Sequence, residues 1–179
     1  RQEEMREKRQ RTDFMFSLPQ SDGFGEGYEH FQAERYAYGR CYLRKDRPDT
    51  EKDFEKRIDA SDKVEWWYKN GEKTQQYFAI VYETREPETM FPVLRAFYPD
   101  YLVRWKGRWI GIYDTKSGFT AAAGEAGIKS DALQKYIREQ NTAALTLAGG
   151  IVEKRSGGWY LFDDEQYTED LTKWKRFEF

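Results

Sequence analysis

The sequence predicts an α/β fold, a mixed central sheet flanked by helices, and three observations predict it. The stretch "TEKDFEKRID" spaces its apolar residues as a helix does, and "IKSDALQKYIREQ" does so again further along. Between and after them lie runs of β-branched and aromatic residues separated by glycine-rich turns. Helix, several strands, helix, strands is an α/β order. The chain's 179 residues, 39% hydrophobic and 17% aromatic, suit one domain that buries roughly two thirds of its unfolded surface.

Taken in order, residues 1–12 are highly polar and read as a solvated helix end or a disordered lead. Residues 13–50 hold the turn-rich "SDGFGEG" and then "HFQAERYAYGRCYLRKDRPD", aromatic and basic with no clean period. Residues 1–49 are therefore assigned to an irregular N-terminal extension linking to a larger protein, and 50–179 to the folded domain. Thr50 reads as the N-cap of the first helix, with Asp53 three residues on as a short capping-box variant and Pro48 upstream. Glu51, Phe54, Glu55 and Ile58 then share one stripe, so two carboxylates sit on the apolar face. That is unusual for a helix packed only for stability.

"KVEWWYKN" and "QQYFAIVYE" read as a hairpin around "GEKT", and "ETREPETMFPVLRA" as a loop with two prolines. "FYPDYLVRW" and "RWIGIYDTK" are two further strands around Lys106-Gly107. After the small-residue loop "SGFTAAAGEAG", the second helix puts Ala132, Leu133, Tyr136 and Ile137 on one face. "ALTLAGGIVEK" and "GWYLFD" close as a hairpin around Ser156-Gly157-Gly158, and "TEDLTKWKRF" reads as a last helix or amphipathic tail.

Composition excludes several classes. No run approaches the roughly 20 apolar residues of a membrane span, and the charged start has no hydrophobic signal core behind it, so a cytoplasmic protein is expected. The chain starts without methionine, which suggests a piece of something longer. Cys41 is the single cysteine and His30 the single histidine, so an internal disulfide is impossible and a zinc site nearly so. Any metal must be held by oxygen. Thirty basic against 32 acidic side chains give a net charge of −2, so a polynucleotide would need a local basic patch.

The strands around Lys106-Gly107 carry the chemistry. A two-residue turn would pair Asp100 with Tyr113 and send Asp114 to the other face. A three-residue loop, Lys106-Gly107-Arg108 with Gly107 free to take positive φ, pairs Trp105 with Trp109 and sets Asp100 opposite Asp114. The second is preferred because the tryptophan pair adds aromatic contact across the strands. Lys116, two residues past Asp114, then points to the same face. Carboxylates that close repel, and one pKa rises unless a cation sits between them. A hard divalent ion fits: Mg²⁺ takes a few carboxylate oxygens, keeps waters and completes its shell with substrate phosphate. A nearby lysine then orients the nucleophile or offsets developing charge.

"YPD" followed by "IYDTKSG" resembles the PD-(D/E)xK nuclease superfamily. More closely, "TEKDFEKRIDASDKVEWWYKNG", "YPDYLVRWKGRWIGIYDTKSG" and "IKSDALQKYI" resemble the C-terminal endonuclease domain of type III restriction enzymes and related helicase-linked proteins, over roughly residues 50–140. The resemblance implies a restriction-endonuclease-like core and a Mg²⁺-dependent endodeoxyribonuclease in which Mn²⁺ substitutes. Asp100, Asp114 and Lys116 match the motif, and Glu51 matches the helix acid, with Glu55 competing for that place. Asp100, Asp114 and Glu51 would bind metal with the Thr115 backbone carbonyl as an extra ligand, and Lys116 would position the attacking water. Lys129 and Gln134 lie on the helix that contributes a polar residue near such sites. The implied partners are DNA, a fused or associated helicase/ATPase region and restriction-modification subunits. There is no G-x-x-x-x-G-K-[ST] phosphate loop, so no translocation motor is located here.

Plainer roles exist for each residue. Asp100 after proline is a turn residue, Lys116 a solvated strand end, and Glu51 a first-turn acid complementing the helix dipole. Trp66, Trp67 and Tyr68 suit a core better than a base-stacking platform, and "RKDR", "RWKGR" and "KWKR" suit solvated surface. A module that keeps a nuclease-like fold but only binds DNA or protein is the second functional expectation.

Overall fold

Alternating burial along the chain, rather than local propensity, decides which strands meet. In the computed structural model, residues 24–71, 78–86, 88–116 and 123–179 are described. In order these form β1 (Tyr28–Phe31), β2 (Cys41–Arg44), α1 (Asp49–Ala60), β3 (Val64–Lys69), β4 (Ile80–Arg85), β5 (Pro92–Phe97), β6 (Tyr101–Trp105), β7 (Trp109–Lys116), α2 (Ala123–Gln140), β8 (Thr146–Arg155), β9 (Gly158–Phe162), a single 3₁₀ turn (Leu171–Lys173) and β10 (Lys175–Arg176). A six-stranded sheet runs β10-β9-β8-β7-β6-β3, and two separate two-stranded ribbons are β1-β2 and β4-β5. Every neighbouring pair in the large sheet is antiparallel except β7 and β8, which are parallel and joined through α2. The fold is therefore mixed α/β with a mixed central sheet, strand-rich, with two helices among the described residues. Neither is long and apolar enough to cross a membrane.

Of the expected extension, residues 24–48 form the β1-β2 ribbon and bring Tyr36, Cys41 and Leu43 into the main core. Asp59 at the end of α1 pins this segment. Its carboxylate accepts the backbone N–H groups of Glu34 and Arg35 and, at 2.8 Å, the indole N–H of Trp67. Helix α1 begins at Asp49, one residue before the expected N-cap, and Pro48 precedes it with no side-chain cap. Proline fits a helix start because its missing N–H would be unpaired there anyway. Asp53 makes no capping box and instead binds Trp159, Arg57 and Lys154.

The expected β3-β4 hairpin is not formed. β3 pairs with β6, and its other edge is covered by residues 35–37, with Trp67 N–H donating to Arg35 and Ala37 N–H to Trp67. Consecutive Trp67 and Tyr68 are both buried, so β3 needs cover on both faces, which an isolated hairpin lacks. β4 alternates buried Ile80 with exposed Val81, Glu83 and Arg85, the pattern of a ribbon with one open face. Its partner is β5, inside the stretch expected to be loop. Pro92 sits at the strand's first position, where a lost ladder N–H is tolerated. The expected last helix is reduced to the 3₁₀ turn and short β10.

The core lies on both faces of the sheet. Phe54 of α1 meets the rings of Tyr101, Tyr113, Trp159, Phe177 and Phe179, with centroids 5.0–6.0 Å apart, so the C-terminal tail closes the α1 side. Residues alternate along a strand, so Leu102, Ile110 and Ile112 turn to the opposite face, where Leu133 and Ile137 of α2 are buried. At Gly149 of β8 φ is +130°, and a Cβ there would run into the Ile112 backbone, so only glycine lets these parallel strands approach. The closing hairpin turns at Ser156-Gly157, with Arg155 opposite Gly158.

Candidate functional site

The β6-β7 hairpin adopts the register expected from its turn. Trp105 pairs with Trp109 and Tyr101 with Tyr113. Gly107 takes φ +123° and Arg108 φ +66°, and the two indoles stack with centroids 5.2 Å apart and planes 10° from parallel. One step beyond the last pair, the same register sets Asp100 opposite Asp114 at the end of the sheet, near enough for the charge of Asp100 to act on Asp114. Lys116 closes β7 there, and Lys69 closes the neighbouring β3 opposite Tyr101.

Asp100 is held from three directions. Its backbone carbonyl accepts the N–H of Asn70 at 2.8 Å, and the Asn70 amide donates to Pro99 and Phe78 carbonyls while accepting the Phe78 N–H, so the Pro99-Asp100 bend is clamped to the end of β3. Asp100 Oδ2 accepts the backbone N–H of Thr115 at 2.7 Å and its hydroxyl at 2.6 Å, in the place a continued β6 would occupy. Oδ1 lies 3.3 Å from Lys69 Nζ. The same ammonium is 2.8 Å from Glu51 Oε2, and this shared lysine joins the helix acid to the strand acid.

Asp114 follows Ile110 and Ile112 onto the α2 side and is only 5% exposed. Its Oδ2 lies 2.6 Å from Lys116 Nζ. That contact is a charge pair without a well-aligned hydrogen bond, and no other donor reaches this buried oxygen among the described residues. Burial first, and then the charge of Asp100, pushes the Asp114 carboxyl up to about 7 against the pull of Lys116 and Lys129. Burial would lower Lys116 and Lys69, but the neighbouring carboxylates outweigh it and raise both. Asp100 therefore couples two ion pairs electrostatically, Lys69 with Glu51 and Lys116 with Asp114.

The two helix acids part company here. Glu55 is fully buried, with Oε2 at 2.8 Å from Arg47 Nε and Oε1 at 3.0 Å from the Tyr101 hydroxyl. Glu51, one turn earlier, is the one beside Asp100. Thr115 acts on Asp100 through its N–H and hydroxyl. Gln134 donates to the Gly149 carbonyl at 2.9 Å, and Lys129 pairs with Glu125 at 2.7 Å.

Two residues at the site were not singled out from sequence, Lys69 and Asn70. The only signal was the polar pair "KN" ending an aromatic strand. Glu51, Asp100 and Asp114 offer hard oxygen donors at one sheet end, the donor type Mg²⁺ takes. The incompletely bonded buried oxygen of Asp114 suits that chemistry. As the side chains stand, no group of three or more His, Cys, Asp or Glu residues is arranged to hold a metal ion among the described residues. The Lys69 and Lys116 ammoniums already stand against these carboxylates. Compared with models of protein families, with curated proteins and with solved structures, the chain matches none.

Proposed function

We propose that this chain is a Mg²⁺-dependent endodeoxyribonuclease domain with a restriction-endonuclease-like core of the PD-(D/E)xK type, belonging to a restriction-like or helicase-linked protein. One observation carries the reading: the Trp105–Trp109 register that brings Asp100, Asp114 and Lys116 to one end of the sheet, with Glu51 arriving from α1. Glu51, Asp100 and Asp114 would hold the ion. Its contribution when bound is Lewis-acid polarisation of the scissile phosphoryl group. Thr115 fixes the Asp100 carboxylate through two hydrogen bonds, so that acid is pre-aimed before any ligand arrives. The Lys116 ammonium, 2.6 Å from Asp114 Oδ2, would hold the attacking water. Mn²⁺ substitutes for Mg²⁺, and DNA is the substrate.

A second reading is a nuclease-like module that binds DNA or protein without turnover. It draws on the lysine pairing of the three carboxylates, which offsets all but one of their negative charges with no ion at all.

A plasmid cleavage assay with Mg²⁺ or Mn²⁺, against chelator, separates the two. Asp114→Asn should abolish metal-dependent cleavage. Lys116→Ala should leave metal binding in place and slow cleavage at least about 100-fold. DNA affinity should survive in both, since phosphate contacts from surface Arg and Lys supply non-specific binding. Cleavage by purified Asp114→Asn at the wild-type rate would end the catalytic reading. A wild type that cuts nothing even with its parent protein supplied would favour the binding module.

A further inference from the structure

Lys69 is the least expected group at this site, and its geometry says what it does there. Asp100 commits Oδ2 to Thr115 at 2.7 and 2.6 Å, which leaves Oδ1 turned toward a cation. Lys69 Nζ stands at that oxygen, 3.3 Å away, and at Glu51 Oε2, 2.8 Å away. It therefore occupies the place between the helix acid and the strand acid where an ion shared by both would sit.

The lysine is also built to leave. An ammonium is a point charge on a flexible stem and lacks the planar fork by which a guanidinium locks a carboxylate. Its side chain is 21% exposed, so solvent is within reach. Charge balance points the same way. Glu51, Asp100 and Asp114 set against Lys69 and Lys116 leave one negative charge. A divalent ion entering with both ammoniums in place would overshoot to net positive. With Lys69 swung out, the same ion makes the cluster neutral.

We propose that Lys69 is the resident counter-ion of this site and competes with the divalent cation for Glu51 and Asp100, so that metal loading requires its displacement. This rests on the reading of the cluster as a divalent-cation site. The lysine keeps the acids paired when no ion is bound, and it weakens the ion's apparent affinity by standing in its place.

The test is equilibrium binding of Mn²⁺ alone to the whole chain, read as free Mn²⁺ by electron paramagnetic resonance, for wild type, Lys69→Met, Lys69→Gln and Lys69→Arg. Thermal melts establish that each variant is folded, and the two neutral variants guard against one of them failing to fold. Removing a positive charge this close should tighten Mn²⁺ binding at least about tenfold in Lys69→Met and Lys69→Gln. Lys69→Arg, which keeps the charge, should gain nothing. Neutral variants that bind Mn²⁺ no more tightly than a wild type that does bind it would overturn the competition while leaving the metal site standing. If no protein in the series binds Mn²⁺ at millimolar concentration, the metal-site reading fails and this inference with it.

Discussion

Glu51 and Glu55 lie one helical turn apart on the same stripe of α1, yet the protein treats them in opposite ways. Glu55 is sealed under the core with both oxygens engaged, by Arg47 and by the Tyr101 hydroxyl. Arg47 is fixed in turn by Glu29 at 2.8 Å. Burial pushes the Glu55 carboxyl up even against its hydrogen bond to Arg47. Glu51 shares a single lysine with Asp100 at the open end of the sheet. The difference is between a structural charge and an exchangeable one: a buried guanidinium pair cannot be undone without stranding an ion, whereas a partly exposed ammonium can be replaced.

The largest expected effect breaks that comparison directly. Glu55→Ala leaves the buried Arg47 with only the half-exposed Glu29 as its charge partner and should cost about 3 kcal/mol or more in urea unfolding. Glu51→Ala should cost about 1 kcal/mol or less and act instead on metal binding. Equal losses of stability would mean that both acids are structural.

Next in size is a pH effect at Asp114, the acid on the other ion pair. Its carboxyl is raised to about 7, so the folded chain holds that proton more tightly than the unfolded chain does. The resulting stability is full below about pH 4 and is lost as pH rises through about 7. Between pH 5 and 8 the wild type should therefore lose on the order of 2–4 kcal/mol relative to Asp114→Asn. Parallel stability curves for the two proteins would remove the buried, charge-strained Asp114 from the account.

The smallest effect uses Asp53, an acid on α1 whose role is purely cohesive. Burial acts to raise its pKa, but hydrogen bonds from Trp159, Lys154 and Arg57 together win and bring it down to about 2. The sign is opposite to that of Asp114: this stability is present above about pH 4 and is lost as pH falls through 2. Asp53→Asn should cost about 1–2 kcal/mol at pH 7, and the gap to wild type should close on acid titration. A gap that persists at pH 2 would mean packing, rather than charge, ties α1 to β9.

What could be read along the chain follows from how local each interaction is. The β6-β7 register was legible because turn chemistry at Gly107 and the Trp105–Trp109 pair act within a few residues. The helix stripe was legible for the same reason, so Glu51 and Glu55 both came forward as candidates. Choosing between them was not possible there, because Arg47, Tyr101 and Lys69 reach α1 from three other elements.

The sequence by itself determined the two helices, the tight hairpin at the sheet end, and the register that sets Asp100 opposite Asp114. Each depends on periodicity or turn geometry, which neighbouring residues set among themselves. The tertiary structure alone decided that β3 joins β6 rather than β4, and so brought Lys69 against Asp100 and Asn70 against the Pro99-Asp100 bend. Strand pairing over that distance is chosen by which faces the whole fold can bury. For β3, the consecutive burial of Trp67 and Tyr68 required cover on both faces, and the six-stranded sheet with residues 35–37 provides it.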